Sequence, residues 1–465
     1  MIEQALQTLA QDNTLQRMFK DALVPTDMFR KSVSPEKFPG AAGGRMVMTR
    51  QGRIAPNPTR LQPGQDSQVV TQGFEHYAVE VGPYSKSVDI PLDQGQQLTA
   101  SGGLLGFVLG KVQAVGELAG AELNLAARDV LFKNYLSGHT VTTAAAAAVT
   151  SIDVASLNGF RLVFVGKSEV PVSSTYKIAI KAYSGGTTTT VNVIGATPAD
   201  VNFPDGPGTL TLDAAVTLDQ FSPVVADNAP FIMRPNDYKS IDGLTSNDTA
   251  TMDLVRGLKA RMKINSVKPM ADGTYHFHAP PQMIRQLFSS NEIQRFQEGQ
   301  IQSGFVRDGS LGVVHGIRFF ENETCPLPFP TNTVETIAVP NRGELAVSYC
   351  GEQANADGIN ILRGVMLGQD SFYEYFVDEM EYYATEMEQV GKSRTPYTWT
   401  PSEAGGSMTV ERVRMIYRKA LDRRGVLPAM SYSFTGGWTC PTDSLGGQTI
   451  AKLKRAGVLE VAGQI

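Results

Sequence analysis

"GSLGVVHGIRFFENETCP", residues 309–326, reads as a strand with glycines around its entry and a proline closing its exit. It carries His315 and Cys325, and neither has a neighbour in the sequence that would make it reactive. A segment that is flat, extended and closely placed, with nothing reactive in it, reads as part of a rigid frame.

The flanking sequence mixes helices and strands. Upstream, "DTATMDLVRGLKARMKIN" is an amphipathic helix with Asn247 or Asp248 placed to cap it. "GTYHFHAPPQMIRQLF" is a strand, a proline break and a helix. Downstream, "MTVERVRMIYRKALDRRG" has helical spacing with Gly425 as a stop signal, and "AKLKRAGVLEVAGQI" ends in a short apolar strand.

The N-terminal half changes period twice. From 101 to 137, Leu105, Val108, Val112, Val115, Ala119, Leu123, Ala126 and Val130 recur at steps of three and four. Polar residues including Asn124 and Asp129 take the other faces. The spacing predicts a helix over 103–136, roughly 50 Å long at 1.5 Å per residue. Residues 138–235 are rich in Thr, Val, Ala and Ser, with short alternating runs such as "RLVFV", "YKIAIKAY" and "GTLTLDAAVTL". They predict a small β-sandwich or barrel inserted after the helix.

Before the helix, residues 17–60 hold nine Lys and Arg against Asp21, Asp27 and Glu36, and prolines and glycines interrupt any regular element. Such a stretch orders only against another surface, so an arm lying on a neighbouring subunit is expected, with Arg45, Arg50 and Arg53 as contact candidates. "FEHYAVEVGPYSKSVDIPL", residues 74–92, alternates on both sides of Gly82-Pro83 and predicts a two-stranded hairpin. An isolated hairpin is marginal in water, so Tyr77, Val79, Val81, Pro83, Tyr84, Val88 and Ile90 are also expected at a subunit contact.

Composition narrows the function. Of 465 residues, 42% are hydrophobic and 19% charged, an ordinary globular balance with room for two or three domains. The net charge of −5 argues against a chain whose main task is gripping nucleic acid. Cys325, Cys350 and Cys440 lack metal-ligand spacing, which predicts reduced thiols. The N-terminal sequence shows no basic and apolar regions of a signal peptide, and no apolar run approaches a membrane span.

Candidate chemistry fails on spacing. Gly166-Lys167-Ser168 ends like a phosphate-binding loop, but Arg161 stands where the leading glycine belongs and a strand follows. His276 and His278 share one strand face without a clear third ligand. Asp378, Glu379, Glu381, Glu386 and Glu388 read as a solvated acidic face. The expectation is no catalytic residue, no cofactor and no metal.

The order of basic arm, hairpin, long helix and glycine-bounded strand resembles the major capsid proteins of tailed bacteriophages, which have the Hong Kong 97-type fold. "DGTYHFHAPPQMIRQL" (272–287) is similar to the strand and helix of that family's axial domain. "GVVHGIRFFENETCP" (312–326) resembles its Gly-x-x-x-Gly-Ile strand ending in Asn-x-x-x-Pro. "RGVMLGQDSF" (363–372) resembles its later turn, with Ser371 where Ala is commoner, and "YAVEVGPYSKSVDI" (77–90) resembles its extended loop.

The resemblance implies an α+β capsid fold divided as arm 1–60, extended loop 61–100, spine helix 101–137, inserted β domain 138–240, axial domain 241–375, and a return to the peripheral domain at 376–465. It also implies a non-enzymatic shell subunit, assembled in the host bacterial cytoplasm into hexamers and pentamers. The partners implied are portal, scaffolding and decoration proteins. Double-stranded DNA would be enclosed without sequence-specific binding, and no membrane is involved. Two other readings stay open: an extracytoplasmic or surface binding protein using the β insertion, and an enzyme with an uncommon site in 250–390.

Overall fold

The computed structural model describes residues 29–38, 44–51, 73–89, 104–165, 167–289, 313–322, 361–376, 414–422, 425–442 and 453–463, with a few isolated positions besides. Before the long helix lie β1 (Ser34–Lys37), β2 (Arg45–Gln51), β3 (Phe74–Glu80) and β4 (Gly82–Asp89); the helix, α1, is Leu104–Tyr135. Next come β5 (His139–Val141), β6 (Ala146–Val154), β7 (Leu162–Val165), β8 (Ser168–Pro171), β9 (Ile178–Ser184), β10 (Thr187–Pro198), β11 (Gly208–Leu218) and β12 (Pro223–Ala226). The remainder is β13 (Ile232–Met233), α2 (Met252–Ile264), β14 (Tyr275–Ala279), α3 (Pro281–Phe288), β15 (Val313–Val314), β16 (Ile317–Glu321), β17 (Ile361–Leu367), β18 (Tyr373–Phe376), β19 (Arg414–Asp422), β20 (Gly425–Thr439) and β21 (Ala456–Ala462).

The chain divides into two units. The first comprises Met1–Met46, Ala78–Arg128 and Phe372–Thr439, and the second takes the rest. In the first, β20 pairs with β19, β4 and β18, and β1 lies parallel to β18. Buried in it are Phe29, Phe38, Phe372, Phe434 and Trp438, and Val112, Val115, Ala119 and Leu123 of α1. The buried stripe on α1 continues through Ala127 and Leu131 rather than the expected Ala126 and Val130. Two polar residues expected on the outer faces are also buried, Asn124 and Asp129. Asn124 Oδ1 accepts the Phe29 amide at 2.8 Å, a partner that helical spacing alone does not reveal.

Three elements differ from expectation. Residues 414–422 form a strand, not a helix, because a nine-pair ladder from Arg414↔Ser433 to Asp422↔Gly425 supplies every register position with a partner. Tertiary pairing overrides a helical spacing here. Residues 74–89 are not a hairpin: β3 pairs with β2, and β4 pairs with β20. Only Val81 separates β3 from β4, too short a link for a chain reversal, and Pro83 has no N–H to close a turn. The cap of α2 is Thr251, whose hydroxyl accepts Leu254 N, while Asp248 instead accepts the amide and hydroxyl of Thr245.

Within the second unit, residues 138–229 form a closed antiparallel barrel. The order β5-β12-β9-β10-β11-β6 is sealed back to its start by the Thr142↔Val154 bridge and the bonds Thr143 N→Asp153 O and Ala155 N→Val141 O. Alternation builds it: Ile178, Ile180 and Ala182 of β9 and Val191 and Val193 of β10 point inward to Ile152, Leu210 and Val224. Gly185 and Gly186, both at positive φ, make the two-residue turn joining Ser184 to Thr187. Entry and exit are one hydrogen bond apart, Ala226 N→Gly138 O at 2.8 Å.

The same unit holds a mixed sheet, β13-β21-β17-β14-β16-β15, with its own core. Val255, Leu258 and Met262 of α2 and Met283, Ile284 and Leu287 of α3 bury against Phe277, Ile317, Phe319, Met366 and Leu459. Two boundaries move as a result. Ile232 and Met233 pair with β21, so the barrel ends before 232 rather than at 240. Residues 456–462 pair with β13 and β17, so the C-terminal strand belongs to this sheet and not to a returning peripheral segment. The quoted 309–326 stretch contains a hairpin: His315 (φ 52°) and Gly316 (φ 70°) turn β15 back onto β16, Val314 facing Ile317.

Candidate functional site

The expected contact residues separate into two groups. Tyr77 and Val79 are buried, and Tyr84 packs edge-on against Trp438, with ring centroids 5.4 Å apart. These side chains are satisfied within their own chain. So is the 29–38 part of the expected arm: Phe29 and Phe38 are buried, and the Ser34 and Phe38 amides donate to Phe372 and Phe376 carbonyls. Arg50 pairs with Asp370 at 3.5 Å. Arg45, 3.2 Å from Glu80, and Pro83 are exposed, and Val81 and Val88 are half-buried. Arg53 and Ile90 lie outside the described residues, as do Cys350 and the acidic run from 378 to 388.

Polar chemistry concentrates in buried charge clusters. In the first unit, Arg30 forms a two-pronged pair with Glu374, whose Oε2 also accepts Trp438 Nε1 at 3.0 Å. In the second, Glu460 takes Arg234 Nε at 2.7 Å on one oxygen and Arg363 Nε at 2.8 Å on the other. Burial alone would raise the Glu460 pKa; the two guanidinium charges and their hydrogen bonds hold it at about 2. Beside this triad a cleft of about 80 Å³ is lined by His139, Thr140, Ser156, Arg234, Lys239 and Glu460. Burial, then the Arg234 charge, lowers His139 to about 4, so its ring is neutral, Nε2 facing the Pro230 carbonyl at 2.8 Å.

The two histidines of β14 have separate roles. His276 Nε2 lies 3.0 Å from Asp272 Oδ2, which also takes Arg318 at 3.2 Å. Burial works to raise Asp272, but Thr274 and His276 donors outweigh it and hold the carboxyl at about 2. His278 is buried and stacked on Phe320, centroids 4.7 Å apart. No group of three or more His, Cys, Asp or Glu side chains able to hold a metal occurs among the described residues. Lys167 and Ser168 sit where β7 turns into β8, a strand rather than the helix a phosphate loop requires. Cys325 and Cys440 are buried and in no disulfide, and burial pushes the Cys440 thiol well above the usual thiol range.

Sequence reading missed Arg30, Arg234, Arg363, Glu374 and Glu460. A signal existed. Arg363 in "ILRGVML" and Glu460 in "GVLEVAG" are lone opposite charges inside apolar strands, and such charges must be paired when buried.

The segments that resembled one domain come together. Strands β17, β14, β16 and β15, drawn from 363–372, 272–287 and 312–326, are consecutive neighbours in the mixed sheet. Solved bacteriophage capsids are similar to this chain. The capsid of Ralstonia phage GP4 is 11% identical, covers 93% of this chain and 88% of its own, and superposes with a TM-score of 0.43. The cyanophage Pam1 capsid gives 11% identity, coverages of 91% and 86%, and a TM-score of 0.43. The head of Helicobacter pylori bacteriophage KHP40 gives 8% identity, coverages of 92% and 88%, and a TM-score of 0.44. No protein-family model matches the chain, and no curated protein matches it in sequence. No described helix is long and apolar enough to cross a membrane.

Proposed function

We propose that this chain is the structural major capsid subunit of a tailed bacteriophage, with a Hong Kong 97-type fold carrying an inserted barrel. The observation that carries the reading is the adjacency of β17, β14, β16 and β15: three segments picked from sequence as motifs of one axial domain are neighbours in one sheet. The buried charge clusters fit a load-bearing part, since each joins distant stretches of chain: Arg30 to Glu374, and Arg234 and Arg363 to Glu460. On this reading, hexamers and pentamers close around double-stranded DNA in the host cytoplasm, with portal and scaffolding proteins as partners. The contact positions remain Arg45, Arg50 and Arg53 of the arm and Tyr77, Val79, Val81, Pro83, Tyr84, Val88 and Ile90 of the loop; of these, Arg45 and Pro83 are exposed in the single chain.

The barrel is proposed to project from the shell, outward, touching neighbouring barrels or a decoration protein. Its 198–207 loop supports this. The loop is tied down by Asn202 N→Asp200 Oδ1, Gly206 N→Phe203 O and Leu157 N→Asp205 O, yet it holds Val201 at 86% exposure and Phe203 at 41%. Apolar side chains on a fixed loop suit a contact made after assembly.

Expression in bacteria followed by sedimentation and negative-stain imaging tests the shell reading. Closed shells, or hexamer-sized capsomers, are the expected result. A chain that stays monomeric across assembly conditions, with or without co-expressed scaffolding protein, refutes it.

A further inference from the structure

Helix α2 carries four cations, Arg256, Lys259, Arg261 and Lys263, against one carboxylate, Asp253. The whole chain is net negative, so this is a local reversal of sign. Met252, Val255, Leu258 and Met262 bury the inner face. Steps of three and four then set Arg256, Lys259 and Lys263 in a row along one side.

Among the described residues no carboxylate neutralises Lys259 or Lys263, while Arg256 also meets the His315 ring, Nη2 to Nε2 at 2.8 Å. Among the described residues Lys259, Arg261 and Lys263 make no ion pair, and Asp253, itself 89% exposed, reaches only Arg256, at 3.5 Å. Lys259 bonds to the His315 carbonyl oxygen, and its pKa is lowered by burial first and by the Lys263 charge second. Like charges four residues apart weaken a helix. The helix dipole accounts for Arg261 and Lys263 in the last turn, but not for keeping Lys259 beside them. A face meant only for solubility would mix the two signs.

We propose that this face of α2 docks the phosphate backbone of duplex DNA, which places it on the genome-facing side of the subunit; the inference rests on the shell reading above. From Arg256 to Lys263 the row rises about 10 Å, long enough to meet several phosphates of a duplex carrying one charge per ~1.7 Å of axis. Lysines act as point charges, so contact without base readout is the outcome.

The test is binding of the full chain to a fluorescent 20-base-pair duplex, followed by anisotropy from 50 to 200 mM salt. Three phosphate contacts give a log–log slope of about −2.7, roughly a 40-fold loss over that interval. Lys259→Gln with Lys263→Gln should reduce the slope by about 2, and the exposed single change Lys263→Gln by about 1. Equal slopes and affinities in wild type and Lys263→Gln overturn the proposal. So does wild-type binding to phosphatidylglycerol vesicles without binding to the duplex. Shell formation is read separately by sedimentation. Shells with unaltered DNA binding in the variants remove the docking face alone; altered DNA binding without wild-type shells removes the shell reading and leaves a nucleic-acid surface.

Discussion

Arg30 and Glu374, 344 positions apart, form a fully buried pair with Nε–Oε2 at 2.7 Å and Nη2–Oε1 at 2.8 Å. The guanidinium also lies 5.3 Å from the centroid of Phe434, so the pair is enclosed by the aromatic core of its unit. Changing Glu374 to Gln leaves a buried cation without its counter-charge and should cost about 3–5 kcal/mol. Thermal melting gives the size of the loss, and faster proteolysis within 29–38 would locate it. An unchanged melting midpoint would show that the pair does not anchor this segment.

Acid should weaken the second unit in two stages. His139 is held at about 4, below its ordinary 6.5, so the unfolded chain takes up the proton first and stability falls as pH drops from 6.5 to 4. Glu460 is held at about 2, below its ordinary 4.5, so its contribution is complete above 4.5 and is lost as pH falls towards 2. Each proton contributes a slope of about 1.4 kcal/mol per pH unit in its window. His139→Gln should make the melting-temperature profile shallower between pH 6.5 and 4, His276 keeping the remaining slope because burial lowers it too, and leave the lower stage in place. Identical profiles for variant and wild type would reject the assignment.

Gly437 has no room for a side chain, because a Cβ there would collide with the carbonyl oxygen of Glu80, the last residue of β3. Gly437→Ala should cost about 3 kcal/mol or more, as a backbone must move. Gly82, at an ordinary φ with nothing within 4 Å of a built Cβ, is the control: Gly82→Ala should stay within about 0.5 kcal/mol of wild type. Urea unfolding of both variants decides it.

The barrel should fold alone. Its ends meet at Gly138 and Ala226, its sheet is closed, and its core is separate from that of the mixed sheet. Residues 137–230 expressed by themselves should melt cooperatively, and replacing 140–225 with a short Gly/Ser linker should leave the remaining chain folded. The cut must stop short of Arg234, whose loss would strand Glu460 with one cation. A non-cooperative melt of the isolated piece counts against an independent module.

Legibility followed periodicity. The bounds of α1 differ from the expected 103–136 by a single residue at each end, since an uninterrupted run of three-and-four steps has no competing reading. The alternation in β9, β10 and β11 likewise marks strands. What was lost depended on partners remote in sequence. Nothing within 414–422 announces the ladder to β20, and nothing near Asn124 announces the Phe29 amide. The quoted 309–326 stretch reads as one strand because its His-Gly turn is short, yet the two positive φ angles at His315 and Gly316 divide it. Buried charges were the largest omission: each of Arg363 and Glu460 looks like an isolated fault in an apolar run until the other is placed beside it.

The place of β21 sets a timetable for synthesis. This strand fills the gap between β13 and β17, yet residues 456–462 are translated long after both. At 5–20 residues per second the ribosome needs roughly 5–20 s to go from Leu367 to Ala462. Through that interval the sheet is open along the edge where Glu460 will join Arg363, and both arginines lack their counter-ion. A polypeptide released before residue 456 lacks the strand that separates β13 from β17 and the carboxylate shared by Arg234 and Arg363.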